Sequence, residues 1–137
     1  MKSRSLLTVV SLIIIIMGAS FTLKTQQEKK PWPVPENYKK MKNPVTSDAE
    51  SLATGKTLWA KHCQSCHGKT GMGDGSKAAQ LKTEPGDFSK PDTQSQTDGA
   101  LFYKSSEGRD DMPSFKKKIP DDDEMWSIVN YLRTFKK

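Results

Sequence analysis

Five consecutive residues carry the most chemistry in this chain: Cys63-Gln64-Ser65-Cys66-His67. Two thiols three positions apart, at the end of a helix, can each form a thioether to one vinyl group of a haem. The adjacent imidazole is then placed beneath the iron as a proximal ligand. Covalent attachment would hold the haem in a domain too small to hold it by burial alone. The same residues have other chemistries. A Cys-x-x-Cys redox pair of the thioredoxin type needs a βαβ setting, and no such pattern is visible. A zinc site would have to draw on His62, His67 and carboxylates in cramped geometry. The chain has 2 cysteines, too few for a disulfide scaffold, a four-cysteine zinc site or an iron–sulfur cluster. The reading is one covalently attached haem c, with its iron.

A second axial ligand has to come from far along the chain. The methionines are the candidates, because a neutral, soft thioether favours ferrous iron and raises the potential. Met1 and Met17 lie in an apolar leader and Met41 in a tether. Met72 follows His67 directly and stays near its face. Met125 fits the apolar stripe of a helix and is assigned to the core. Met112 remains. It follows the polar segment Ser105-Ser106-Glu107-Gly108-Arg109 and precedes Pro113, whose ring restricts the backbone and fixes the direction of the preceding side chain. The other histidine, His62, sits on the same helix end as the attachment residues and is assigned to the surface. The site is therefore expected to be Cys63, Cys66, His67 and Met112, with His67 and Met112 on the metal.

These residues need elements to position them. Ser47 followed by Glu50 has the form of a capping box and predicts a helix from Asp48 to about His62. Leu52, Gly55 and Trp59 share one face of it. Gly55 inside a helix costs about 1 kcal/mol relative to alanine, which close approach of another backbone would justify. The last helix is announced by Pro120, Asp121 and Glu124. Met125, Ile128, Val129, Leu132 and Phe135 recur at helical spacing. Acids at its start and Arg133, Lys136 and Lys137 at its end complement the helix dipole. A shorter helix from Asp98 would include Leu101, Phe102 and Tyr103. Between first and last helices lie many Gly, Pro, Asp and Ser residues, with no alternating strand pattern and no internal repeat. Long ordered loops in an all-α domain need something to wrap.

The remainder of the chain reads as delivery. Residues 1–23 begin with Lys2 and Arg4. The charge-free stretch Ser5 to Leu23 then approaches the ~20 residues that span a bilayer. Gly18-Ala19-Ser20 offers a cleavage site, so the segment is a signal peptide or a membrane anchor. Either route exports the rest of the chain to the periplasm, soluble or tethered to the outer face of the cytoplasmic membrane. No cysteine lies there for lipid modification. Residues 24–43, rich in Lys, Gln and Pro, are expected to form an extended, solvated tether with little helix, with Trp32 and Tyr38 packing on the domain surface. The folded domain is expected over 44–137. Hydrophobic residues make up 34% of the chain and mean hydropathy is −0.72, so a small core needs a cofactor to complete it. The net charge of +6 includes Lys2 and Arg4. Its scattered lysines, with acids among them, are no nucleic-acid signature but favour acidic partner surfaces.

In its motifs the chain resembles the class I c-type cytochromes, the bacterial monohaem cytochromes c, over roughly Ala49 to Phe135. Gly55 and Trp59 precede the first cysteine by eight and four residues, as that family's glycine and aromatic do. Gly68 through Gly75 is similar to its glycine-rich loop, Pro85-Gly86-Asp87-Phe88 to its Pro-x-Asp-Phe segment, and Met112-Pro113-Ser114-Phe115 to its methionine loop. Trp126 and Ile128 to Arg133, with Tyr131, resemble its final helix. The resemblance implies an all-α cytochrome c fold. Its first and last helices would cross at Gly55, near Ile128 and Tyr131, around a covalently bound haem, after an N-terminal signal or anchor helix. It implies a single-electron carrier rather than an enzyme, with redox proteins as partners. Leu101, Phe102, Phe115 and Trp126 would lower the dielectric near the iron, and Lys56, Lys61, Lys69 and Arg109 would ring the exposed edge. Two other roles compete: a fixed cytochrome subunit of an oxidase or dehydrogenase complex, and a haem-based sensor or peroxidase with Met112 displaced. In many relatives a proline carbonyl soon after the motif orients the proximal histidine. Here the first proline after His67 is Pro85, so the acceptor of the His67 proton is left open.

Overall fold

A computed structural model describes residues 31–137. The expected leader, 1–23, and residues 24–30 of the expected tether lie outside the described residues. Six α-helices are described: α1 (Glu36–Lys39), α2 (Ala49–His62), α3 (Gln64–His67), α4 (Pro91–Gln94), α5 (Asp98–Glu107) and α6 (Asp122–Arg133). A 3₁₀ turn covers Ala78–Gln80. Among the described residues there is no β-strand, only an isolated antiparallel bridge between Arg109 and Met112. The all-α class is as expected.

Local chemistry explains the helix ends. At α2 the cap is Asp48, not Ser47. The Asp48 carboxylate accepts from the Ser51 amide at 2.9 Å, and the Ser51 hydroxyl accepts from the Asp48 amide at 3.2 Å. The box has moved one residue along because a carboxylate is the stronger acceptor at a helix N-terminus. At α6 Asp121 caps as expected, but its carboxylate accepts from the Asp123 amide. Thr97 caps α5.

The core forms where α2 and α5 pack on α6. Trp59, Leu101, Phe102, Phe115, Ile119, Met125, Trp126, Ile128, Val129 and Leu132 make one buried cluster. The four α6 residues 125, 128, 129 and 132 face it at helical spacing, as their periodicity predicts. Gly55 lets α2 and α6 meet. A Cβ there would stand 2.8 Å from the Cβ of Tyr131 and closer still to the Ser127 carbonyl. At the far end of α6, Arg133 donates to the Asp98 carboxylate at 2.6 Å and to the Gln96 carbonyl at 2.6 Å, tying α6 to the start of α5.

The compact body covers residues 33–137, so packing begins upstream of the boundary expected at Pro44. Residues 33–43 are not an extended, solvated strand. Pro35 opens one helical turn, α1, accepting at its carbonyl from the Tyr38 and Lys39 amides. Val34 is buried, and Tyr38 packs on Tyr103 with ring centroids 4.8 Å apart. Gly99 leaves room for this crossing: a Cβ on it would stand 3.0 Å from Met41. Asn43 then donates to Asn130 at 2.8 Å, and Asn130 donates to the carbonyls of Val45 and Thr46. Proline fixes the backbone of this segment before it folds, so docking it costs less chain entropy than its composition implies.

Candidate haem site

The attachment residues sit where α2 ends. Cys63 terminates α2, its amide bonding the Trp59 carbonyl at 2.9 Å, and α3 carries Cys66 and His67 in one further turn. The glycine-rich loop wraps this turn. The amides of Gly73, Gly75 and Lys77 donate to the carbonyls of His67, Cys66 and Ser65. Gly73 has φ +78° and Gly68 φ +81°, the left-handed region that glycine enters without steric cost. A Cβ on Gly75 would stand 2.6 Å from the Cys66 carbonyl, so no side chain fits where the loop crosses the turn. The Trp59 indole donates to the Gly68 carbonyl at 3.0 Å from a buried position.

The His67 ring lies against Phe88, centroids 4.6 Å apart, and near Trp59 at 5.8 Å. Burial pushes its pKa down to about 4, opposed by the Pro85 carbonyl acting as an acceptor. The imidazole is therefore neutral at neutral pH. Its Nδ1 is buried and closes no well-formed hydrogen bond, so Pro85 is close enough to act on the ring without completing one. Pro85 is brought there by Phe88, whose amide donates to the Gly71 carbonyl at 2.7 Å. A Cβ on Gly73 would stand 2.7 Å from the Gly86 carbonyl, so no side chain fits at Gly73. The question that sequence left open thus has a structural candidate: a proline carbonyl, supplied from downstream.

Met112 is presented by a tight turn. The Arg109 amide donates to the Met112 carbonyl at 2.7 Å, and the Met112 amide donates back at 2.9 Å. Between them Asp110 has φ +52°, a conformation uncommon outside glycine but tolerated by Asp. The loop is tied to α5 by the Phe115 amide and the Ser114 hydroxyl, both donating to the Ser106 carbonyl.

Cys63, His67 and Met112 line one cleft with Trp59, Phe115, Ile119, Met125, Ile128 and Leu132, and Ser105 is the one hydroxyl among them. Of the sequence candidates, Cys66 does not line it. Phe115 does, whereas Leu101, Phe102 and Trp126 are buried behind it, Phe102 stacked on Trp126 at 4.2 Å. Met72 is exposed. Met125 is fully buried, in the core as expected, yet also on the cleft wall.

His62 is at the surface only in part: the residue is half-buried, its ring packing on Phe115 at 5.9 Å with Nε2 buried. Burial, then Lys61 and Lys118, hold its pKa below the usual histidine value. The ring leans on the apolar Phe115, a contact the local sequence does not announce. Ile119 and Ser105 were not read as cleft residues, since nothing near them in sequence marks them as such.

The residues fit a haem. The slot is apolar, one imidazole is neutral and lacks a closed hydrogen bond, and a thioether borders the same space. The rival chemistries fit worse. Burial, with Cys66 adding to it, pushes the Cys63 thiol up to about 12, whereas a thioredoxin-type nucleophile or a zinc ligand needs an accessible thiolate. Among the described residues, no three His, Cys, Asp or Glu side chains gather as a metal site, and no helix is long and apolar enough to cross a membrane.

Comparison with known proteins agrees. Residues 50–132 match the family model described as cytochrome c oxidase, cbb3-type, subunit III, a c-type cytochrome domain. No curated protein matches the sequence. Among solved structures the fold is similar to a chain of the reducing HAO-like protein complex of Kuenenia stuttgartiensis. The TM-score is 0.61 and identity 23%, over 80% of this chain and 53% of that one. This chain thus spans about half the length of the one it matches.

Proposed function

Since the chain belongs to the family described as cytochrome c oxidase, cbb3-type, subunit III, and is a c-type cytochrome domain, we propose that it is a monohaem electron carrier with His67 and Met112 as axial ligands. The observation that carries this reading is the cleft. It brings Cys63, His67 and Met112 from opposite halves of the chain to one apolar space. When bound, haem c would supply one-electron Fe(III)/Fe(II) chemistry. Cys63 and Cys66 would anchor it by two thioethers, and His67 and Met112 would hold the metal. His67, on α3, and Met112, in its turn, are both held by several backbone hydrogen bonds, so they need not move when the charge changes, and reorganisation is small. With both positions filled the site favours electron transfer over substrate chemistry. Trp59, Phe115, Ile128 and Leu132 exclude water from the cleft wall.

The partner is a redox protein with an acidic docking surface. Lys56, Lys61 and Lys69 are exposed on and beyond α2 and can steer it. Arg109 is engaged with Asp110 at 3.3 Å, and Lys118 lies over the Phe115 ring at 5.4 Å. We place the chain outside the cytoplasmic membrane, delivered by residues 1–23 as signal or anchor. The family's description favours a second reading on the same chemistry, a fixed subunit of an oxidase rather than a mobile carrier.

Both readings are tested by producing the full chain with a c-type haem maturation system. Intact mass should show one covalent haem, lost in Cys63→Ala/Cys66→Ala, and redox titration should follow a single one-electron Nernst curve. Rapid binding of carbon monoxide by the reduced protein would instead indicate an open iron and a sensor or peroxidase.

A further inference from the structure

One carboxylate outside the cleft is bound in a way that the electron-carrier reading does not use. Asp111, next to Met112 at the tip of its turn, reaches across the chain to the Lys82–Thr83 backbone. Its Oδ2 accepts from the Lys82 amide at 2.7 Å and from the Thr83 amide at 3.1 Å. Two amides on one carboxylate oxygen form a charge-assisted clamp. The clamped segment runs on to Pro85, which acts on the His67 ring, and to Phe88, which packs on that ring at 4.6 Å. The span from Lys82 to Phe88 therefore touches the loop of one candidate ligand at its start and the ring of the other at its end.

We propose that Asp111 is a positioning residue for Met112, strapping the methionine turn to the segment that seats His67. From the α5 side the Met112 turn is held through Ser106, and internally by its own Arg109–Met112 bonds. Asp110 in the left-handed region gives it a backbone that is not self-stabilising. Asp111 adds a hold from the Lys82–Thr83 side. Without it the chain still folds around α2 and α6, but the sulfur is less firmly held over the metal. The proposal rests on Met112 being the axial ligand.

The test uses the haem-loaded full chain with Asp111→Ala and Asp111→Asn, the second keeping an oxygen acceptor without the charge. Three quantities are read: the weak ferric band at the red end that methionine sulfur gives, the affinity of ferric protein for imidazole, and hydrogen exchange at the Lys82 and Thr83 amides. In Asp111→Ala imidazole should bind about tenfold more tightly, two charge-assisted bonds being discounted for exposure. The band should weaken and both amides should lose protection, while amides of α2 and α6 keep theirs. Asp111→Asn should fall between, and carries the test if the alanine variant does not fold. Wild-type imidazole affinity and band in both variants, despite faster exchange at Lys82 and Thr83, would overturn the positioning role. A wild-type protein without the band would remove Met112 as ligand, and the proposal with it.

Discussion

Replacing Gly55 with alanine sets two effects of opposite sign against each other. Gly55 is buried within α2, and helix propensity alone makes Gly55→Ala stabilising by about 1 kcal/mol. The structure predicts the reverse. The new Cβ would stand 2.8 Å from the Cβ of Tyr131 and nearer to the Ser127 carbonyl. Neither atom is the far end of a flexible side chain, so α2 and α6 must separate along the contact that buries Trp59 and Ile128. Overpacking of this kind costs about 1–3 kcal/mol, and a clash with helix backbone belongs at the upper end. The net effect is a loss of about 1–2 kcal/mol, which in a domain of this size lowers Tm by about 5–15 °C. Thermal unfolding of the haem-loaded protein, followed by far-UV circular dichroism, reads it. Ala53→Gly, at an exposed position of the same helix, calibrates propensity alone and should lose about 1 kcal/mol. A Gly55→Ala protein as stable as wild type, or more so, would refute the close crossing.

Three further outcomes follow from the packing and the charges. Trp59→Phe leaves the buried Gly68 carbonyl without its indole donor and should cost about 1–3 kcal/mol in denaturant unfolding; an unchanged midpoint would show the bond to be dispensable. A chain starting at Pro44 lacks Val34, Tyr38 and Asn43 and should be less stable than one starting at Pro33 by about 2 kcal/mol; equal midpoints would show the upstream segment to be a passive tether. In the haem-free chain burial pushes His67 down to about 4, against an ordinary 6.5, so the unfolded chain binds more protons between those values. Stability is then fully present above about pH 6.5 and falls by about 3 kcal/mol as pH drops through 4. His62, also lowered by burial, acts in the same direction, and an unfolding midpoint that holds or rises on acidification would contradict both.

What sequence made legible follows from the range of the forces involved. Helical period and capping are local, so α2 and the starts of α5 and α6 could be placed to within a residue or two, although α6 stops at Arg133, short of the Lys136 and Lys137 expected at its end, and Gly55 could be read as a crossing point. The attachment motif is local as well. The shift of the α2 cap from Ser47 to Asp48 turns on which of two adjacent acceptors the amides choose, a difference of conformation rather than pattern. The docking of residues 33–43 was illegible because it depends on Gly99 and Tyr103, distant in the chain. The contact of His62 with Phe115 is of the same long-range kind. Pro85 and Asp111 act through a carbonyl and a carboxylate on partners far along the chain, and no spacing rule connects them. Of the cations expected to ring the haem edge, Lys56, Lys61 and Lys69 are exposed, whereas Arg109 is held by a neighbour that its own loop supplies.

The account stands most directly on Met112. The measurement is the absorption spectrum of the ferric, haem-loaded full chain and of its Met112→Ala and Met125→Ala variants, since both side chains line the cleft. The weak band at the red end, given by methionine sulfur on ferric iron, should be present in wild type and in Met125→Ala and absent in Met112→Ala. Its absence from wild type, or its survival in Met112→Ala, would contradict His67/Met112 ligation and the electron-carrier reading built on it.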